Sequence, residues 1–275
     1  MHDLSASIVV YKSNLKMLSE AISSFLDATA VSKLYIIDNS PTNEVKNLIN
    51  DPRIEYTFNN KNVGFGAGHN IALKKALKAG VLYHIAINPD VYFDKHSIKK
   101  LYDFMESNQE VGLCMPKVLY PDGRLQPLCK LLPTPKILIT RRFLFFLNEF
   151  LAKQNYHYEL QFSGYNKMMD VPFLSGCFMF LRMESLKKIG LFDERIFLYS
   201  EDVDLSRRIH KHYRTVFNPD VTIYHYHQRG SYKNRLLLLH NIRSAIRYFN
   251  KWGWLFDKER DLINQRTLVR IANGI

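Results

Sequence analysis

The chain has little cysteine: Cys114, Cys129 and Cys177 are three among 275 residues, far apart and without the paired spacing of a zinc site. Neither a disulfide scaffold nor a structural zinc module is therefore expected, and buried reduced thiols are predicted instead. Low-complexity runs, Gly/Ser linkers and repeats with a period of about 20–50 residues are missing too, which argues against disorder and solenoid architectures. No uncharged run reaches the roughly 18 residues that a membrane span needs. The start, Met1-His2-Asp3-Leu4, lacks the basic residues, apolar stretch and cleavage site of a signal peptide, so the protein is expected in the cytosol.

What is present suits one large α/β domain with a helical tail. Hydrophobic residues make up 47% of the chain and charged residues 23%, enough to bury a full core. The formal charge of +12 is unevenly spread: from Leu205 onward fourteen Lys/Arg face four Asp/Glu, a local balance of +10. Such a region suits a polyanion, whether nucleic acid, anionic lipid headgroups or a diphosphate-linked substrate, and charge alone does not choose among them.

Short β-rich runs alternate with helical spacing. Ser5 to Tyr11 reads as a strand, Asn14 as an N-cap, and Leu15, Leu18, Ala21, Ile22, Phe25 and Leu26 as the apolar face of a helix. Leu34 to Ile37 and Ile54 to Phe58 are further strands, the first ending at Asp38. A loop punctuated by Gly64, Gly66 and Gly68 leads into a helix from His69 to Lys78, and a strand from Tyr83 to Ile87 runs into Asn88-Pro89-Asp90. This alternation predicts a mostly parallel sheet covered on both faces, with a ligand site beyond the carboxyl ends of its strands. The apolar stretch 131–152 is interrupted by Lys136, Arg141 and Arg142 and reads as a helix lying on a membrane surface, buried in the core, or touching a second subunit.

Several strand-end residues suit chemistry, and each has a plainer reading. Asp38 fits a hydrogen-bond acceptor for a base or ribose, or a turn-forming Asp. The Gly64, Gly66, Gly68 loop fits a backbone approach to a diphosphate, or a tight connection. Asp90 is the best metal candidate, since Mg²⁺ or Mn²⁺ takes one or two carboxylates plus phosphates and waters; an Asn-Pro-Asp turn is the alternative. Glu201, Asp202 and Asp204 precede an arginine-rich helix expected from Ser206 and offer a general base, or a cap for the helix dipole. His225 and His227 lie two apart, so on a strand they share a face, and either could ligate a cation.

In order along the chain, these motifs resemble the family-2 glycosyltransferases, within the bacterial group that includes rhamnosyltransferases and other surface-polysaccharide enzymes. The similarity runs from Ser7 to about Ser231. It is carried by Ile8-Val9-Val10-Tyr11, Ile37-Asp38-Asn39-Ser40, Asn62-Val63-Gly64-Phe65-Gly66 with Asn70, Asn88-Pro89-Asp90 and Ser175-Gly176. It continues in Gly190-Leu191-Phe192-Asp193-Glu194, Glu201-Asp202-Val203-Asp204-Leu205 with Arg208, and His227-x-x-Gly230-Ser231. The resemblance implies a GT-A fold over 1–235, with a nucleotide-sugar half (1–110), an acceptor and catalytic half (111–235) and a basic helical extension (236–275). It implies Tyr11, Asp38, Asn62, Gly64, Asn70 and Asn88 on the nucleotide, Asp90 on a divalent metal with a nearby histidine, and Asp202 as catalytic base assisted by Glu201. His227 matches that histidine's motif better than His225. Ser175, Gly176 and Arg208 would lie at the donor and acceptor loop, Arg208 close to the acids or the phosphates.

Two positions depart from the family pattern. Asn88 stands where the full metal motif has its first Asp, and His212-Tyr213 stand where relatives usually have glycine. The expected partners are a nucleoside-diphosphate sugar, a glycan or polyprenyl-diphosphate-linked acceptor and an anionic membrane surface approached by Arg243, Arg247, Lys251, Trp252 and Trp254, but not nucleic acid. A sugar-nucleotide pyrophosphorylase would need a glycine-rich basic loop after the first strand, and Tyr11-Lys12-Ser13-Asn14 has no glycine. A non-catalytic nucleotide- or polyanion-binding protein would use the basic tail and have no need of Asp90 or Glu201-Asp202.

Overall fold

The computed structural model describes residues 3–143, 148–227 and 235–274. Its first strand, β1 (Leu4–Val10), is buried along its whole length, as expected of a strand covered on both faces. The chain continues through α1 (Leu15–Ala28), β2 (Lys33–Asp38), β3 (Ile54–Phe58), α2 (Phe65–Lys78), β4 (Tyr83–Ile87), β5 (Val91–Phe93), α3 (Ser97–Ser107) and β6 (Val111–Leu119). After these come β7 (Cys129–Lys130), α4 (Pro135–Phe143), α5 (Asn148–Tyr158), β8 (Met169–Asp170), β9 (Phe173–Leu174), β10 (Phe178–Arg182) and α6 (Met183–Ile189). The last elements are α7 (Glu201–His210), β11 (Arg214–His225), α8 (Arg235–Trp252) and α9 (Lys258–Ala272).

The main sheet has the order β3-β2-β1-β4-β10-β6-β11-β5, with β8 added to β11. Strands β3, β2, β1 and β4 run parallel, as the alternation predicts, whereas β10 and β5 are antiparallel to their neighbours. Side chains on β1 alternate between two cores. Ala6, Ile8 and Val10 pack with Leu18, Ile22 and Phe25 of α1 and Leu101 and Met105 of α3. Val9 packs on the opposite face with Leu73 and Ala76 of α2 and Leu205 and Ile209 of α7. Asn14 caps α1 as expected, its Oδ1 accepting from the backbone N–H of Lys16 at 3.0 Å and Met17 at 3.2 Å.

Two helices begin earlier than the sequence predicts. Helix α2 starts at Phe65 rather than His69, so Gly66 and Gly68 lie inside its first turn. Packing demands both: a Cβ at Gly66 would stand 2.9 Å from Phe192 Cβ, and one at Gly68 2.8 Å from Val9 Cγ1. Helix α7 starts at Glu201 rather than Ser206, directly after Tyr199 and Ser200, which hold left-handed φ values of +67° and +71°. The three acids therefore belong to its first turn, where the helix dipole favours negative charge. At the other end of α7, Tyr213 fits beside Gly112, where a Cβ would come within 2.7 Å of Tyr213 Cβ, so the departure at His212-Tyr213 is matched by a glycine on β6.

The stretch 131–152 forms α4 and the start of α5; residues 144–147 lie outside the described residues. Among the described residues no helix is long and apolar enough to cross a membrane. Helices α8 and α9 fold back onto α7. Tyr248 and Phe249 are buried with Val203, Phe173 and Leu132, and the buried Arg207 guanidinium meets Asp257 at 2.6 and 2.8 Å.

Candidate active site

At the carboxyl ends of β1, β2 and β4 lie two adjoining cavities of about 610 and 440 Å³. Phe65, Asn88, Asp90 and Leu198 line both, so the Asn88-Pro89-Asp90 turn is the partition between them. The larger cavity is walled by Tyr11 and Asn14 after β1, Asn39 after β2, and Asn62 and Gly64 before α2. Residues 237, 240 and 241 of α8, spaced as one helical face, close the cavities from above: Leu237 and His240 over the larger, Asn241 over the smaller.

Asp38 is fully buried and does not line either cavity. Its Oδ1 accepts from Ser40 N at 2.9 Å and its Oδ2 from the Tyr56 hydroxyl at 2.7 Å, while Ser40 Oγ accepts from Lys12 N at 3.0 Å. The carboxylate thus braces the two loops that shape the larger cavity. Asn39, the next residue, does reach the cavity and donates to Gly64 O at 3.2 Å. Gly64 sits at φ +94° with Phe197 O where a Cβ would be, so no other residue fits there. The N–H of Gly64 goes to Asn62 Oδ1 at 3.0 Å and that of Phe65 to Phe197 O at 3.0 Å. The glycine loop is therefore a tight connection at these two amides rather than an open phosphate cradle. Asn70 is also buried away from the cavities, bonded to Phe192 and Glu194.

Asp90 sits in the turn between β4 and β5, fixed by Val91 N donating to Asn88 O, Asn88 N to Cys177 O and Tyr226 N to Asp90 O, at 2.9 to 3.2 Å. Its Oδ1 lies 3.3 Å from His225 Nε2. Gln126 orients that imidazole: its Nε2 donates to His225 O at 2.6 Å, leaving Oε1 to accept from Nδ1 at 3.0 Å. With a proton on Nδ1, Nε2 is left facing a carboxylate oxygen, where either its own proton or a bound cation can lie between the two. Among the described residues no cluster of three or more His, Cys, Asp or Glu could hold a metal alone. The donor set thus fits a divalent ion completed by ligand oxygens, such as those of a diphosphate. The strand ends at His225, and His227 follows with φ +48° and its ring 5.2 Å from that of His225. It too lines the smaller cavity, but the imidazole against Asp90 is that of His225, not the preferred His227, whose Gly230-Ser231 partner motif lies outside the described residues.

Asp202 lines the same smaller cavity as Asp90. Its Oδ2 accepts from Gly176 N at 3.0 Å and its Oδ1 from Val203 N at 2.8 Å. A Cβ on Gly176 would lie 3.1 Å from Asp202 Cβ, so any larger residue there would crowd the carboxylate. Burial pushes the Asp202 carboxyl up, against the opposing pull of the Gly176 N–H and the Lys130 charge. Burial, then the neighbouring Asp202, push Glu201 well above the usual carboxylate range, and among the described residues its Oε2 has no hydrogen-bond partner. Asp204 is turned away, bonded to Arg208 Nε at 2.9 Å, Lys251 Nζ at 2.7 Å and Trp252 Nε1 at 2.8 Å. Arg208 donates onward to the carbonyls of Ile189, Gly190 and Leu191, so it lies with the acidic cluster as expected but as a clamp on the turn after α6, off both cavities.

The model for Glycosyl transferase family 2 matches residues 5–190, a span that contains Asp38, Asp90 and Ser175-Gly176 and ends before Glu201. The chain belongs to that family. It is 25% identical over 214 residues, 76% of its length, to the low-salt glycan biosynthesis hexosyltransferase Agl10 of Haloferax volcanii, covering 62% of that protein. It is 29% identical over 144 residues to the N-acetylglucosaminyl-diphospho-decaprenol L-rhamnosyltransferase of Mycobacterium tuberculosis, covering 52% of this chain and 46% of that one. The chain thus spans less than two thirds of either relative. Among solved structures it is similar to GalNAc-T7 with UDP, GalNAc and Mn²⁺ (TM-score 0.58, 14% identity, 81% of this chain and 42% of that chain). It is similar also to S. aureus TarS (TM-score 0.58, 18% identity, 97% and 43%). These likenesses establish the GT-A fold.

On this family-2 framework, sequence reasoning missed several residues of the site. Gln126, which sets the His225 tautomer, and Lys130, Arg141 and Tyr158, which line the smaller cavity, belong to no motif. Lys130 lies in a two-residue strand, too short for periodicity to show.

Proposed function

We propose that the chain is an inverting glycosyltransferase that moves a sugar from a nucleoside diphosphate to a hydroxyl of a glycan or lipid-diphosphate-linked acceptor. The observation that carries this reading is that Asp90 and Asp202, remote in sequence, line one cavity, while Asp90 also borders the larger cavity. The nucleotide lies in the larger cavity beside Tyr11, Asn14, Asn39 and Asn62, with its sugar crossing the partition toward Asp202. Asp202, fixed by Gly176 N–H, accepts the proton of the incoming hydroxyl as that oxygen attacks the anomeric carbon from the face opposite the nucleotide. The bond to the diphosphate breaks in the same step, the nucleoside diphosphate leaves with the electron pair, and configuration inverts. Asp90 and His225 would hold a divalent ion, Mg²⁺ or Mn²⁺, which supplies charge neutralisation for the leaving diphosphate.

The donor we infer is a dTDP-rhamnose or UDP-hexose type sugar and the setting bacterial surface polysaccharide, O-antigen or capsule; the names of the two curated relatives support this class. We also place the protein at the inner face of the cytoplasmic membrane. The residues that support this differ from those expected: Lys251 and Trp252 are turned onto Asp204, whereas Ile242, Arg243, Ile246, Arg247 and Trp254 are exposed. The division at residue 235 follows chain order, since α8 and α9 pack on α7.

The reading is tested by thermal stabilisation with UDP-, dTDP- and GDP-sugars, with and without Mn²⁺. One donor should raise Tm in a metal-dependent way, and Asp90→Asn should abolish that dependence. No stabilisation by any donor, or an unchanged metal effect in the variant, would count against it.

A further inference from the structure

The smaller cavity is not lined by acids alone. Its wall also carries Lys130, Arg141 and Tyr158 with apolar Leu128, Leu138 and Phe173. Lys130 is held firmly: β7 pairs with β9 through Lys130 and Phe173, and the flanking amides of Cys129 and Leu131 donate to the Tyr165 hydroxyl at 3.1 Å and to Tyr158 O at 3.0 Å. Cys129 and Leu131 point into the core, so strand alternation sends Lys130 the other way, to the cavity.

Among the described residues the Lys130 ammonium has neither a hydrogen bond nor an ion pair; its nearest recorded contact is the face of the Phe173 ring at 5.4 Å. Arg141 is different. Its guanidinium meets Glu159 at 2.7 Å and lies over the Tyr158 ring at 5.1 Å, so its charge is already balanced. The Lys130 side chain is only half-buried at the cavity wall, and the carboxylates of Glu159 and Asp202 act on it from beyond ion-pair distance, so an anionic ligand group in the cavity can reach the ammonium and pair with it. Burial, and then Arg141, hold the Lys130 pKa below its usual value against the opposing pull of Glu159 and Asp202.

We propose that Lys130 anchors a phosphate of the acceptor, in a subsite whose apolar wall of Leu128, Leu138 and Phe173 accepts the hydrocarbon attached to that phosphate. The subsite rests on the transferase reading and specifies its acceptor: an amphiphile with phosphate next to an apolar chain, its sugar hydroxyl lying back toward Asp202. A purely structural role, in which Lys130 only balances the charge of Asp202, would need no phosphate at all.

The test is binding of farnesyl diphosphate to the full chain by calorimetry. The larger cavity is first saturated with whichever of UDP, dTDP or GDP the wild type binds; glucuronic acid is a second probe. Lys130→Gln should weaken farnesyl diphosphate at least about tenfold, Lys130→Arg should keep it within about threefold, and nucleoside diphosphate affinity should be equal in all three proteins. Equal farnesyl diphosphate affinity in wild type and Lys130→Gln, or no binding to wild type, overturns the subsite. Glucuronic acid bound in a Lys130-dependent way without farnesyl diphosphate overturns the phosphate assignment in favour of a carboxylate. A wild type that binds no nucleoside diphosphate removes the transferase reading and the subsite with it, an outcome distinct from loss at Lys130 alone.

Discussion

Among the described residues Glu201 is an acid without a counter-charge: 4% exposed, Oε2 without a hydrogen-bond partner, and Asp202 beside it. Burial followed by the charge of Asp202 raises its folded-state pKa, and the two carboxyls titrate as a pair. A raised carboxyl favours the folded state while protonated. That contribution is complete below the ordinary value of 4.5 and is lost as pH rises through the raised one. Glu201→Gln is therefore expected to raise Tm at about pH 7, by roughly 2–4 °C for each kcal/mol relieved, and to leave it unchanged near about pH 4. Scanning fluorimetry over that range checks it; a variant less stable than wild type at neutral pH would refute the assignment. Letters alone singled out Asp202 and Asp90, which line one cavity, because acids at a strand end and before a basic helix form recognisable motifs. They left Asp38 undecided between ligand and turn, since only coordinates show both its oxygens taken by Ser40 and Tyr56. Lys130 stayed hidden because a strand of two residues has no periodicity to read, and only its pairing with β9 turns the side chain to the cavity.

At the scale of elements, α7 joins the chemistry to the tail. Its first turn presents Asp202 to the cavity, and its buried Arg207 binds Asp257 in a two-bonded pair, reaches Glu259 at 3.0 Å and stacks over Trp252 at 4.1 Å. Burial works against the Asp257 carboxylate, but the Arg207 hydrogen bonds win and hold its pKa below the usual range. Arg207→Ala leaves that carboxylate buried and uncompensated, so a loss of about 3–5 kcal/mol is expected in urea unfolding. A loss below about 1 kcal/mol would show that α9 does not brace α7. Strands were legible because residues buried on both faces read as apolar runs. The starts of α2 and α7 were not, because each depends on a left-handed residue just before it, Gly64 or Ser200, whose conformation is fixed by what packs around it.

For the whole molecule, a mostly parallel sheet with helices on both faces followed from the alternation of strand and helix; the antiparallel β10 and β5 did not, because sequence order carries no strand direction. The basic charge of the tail was also legible, but which of its residues face out was not. Leu239, Ile242 and Ile246 form an exposed stripe on α8, and Leu255 and Phe256 protrude at its end, 73% and 94% exposed. Exposed aromatic and aliphatic residues beside Arg243 and Arg247 suit an anionic membrane surface. Deleting the tail would strip Arg207 of Asp257, so point changes are the cleaner probe. Ile246→Asp combined with Phe256→Ser should reduce flotation with anionic liposomes severalfold while Tm holds, and wild-type binding should weaken with salt. Undiminished flotation of the variant would place the membrane contact elsewhere.

Most directly at stake is whether the carboxylate at position 202 takes the acceptor's proton while its counterpart in the β4–β5 turn serves the same sugar. Asp202→Asn keeps the size and hydrogen-bonding reach of the side chain but cannot act as that base. Single-turnover transfer from the donor that stabilises the wild type should fall by about 10² or more, with donor affinity unchanged. Turnover within a few-fold of wild type would contradict the account.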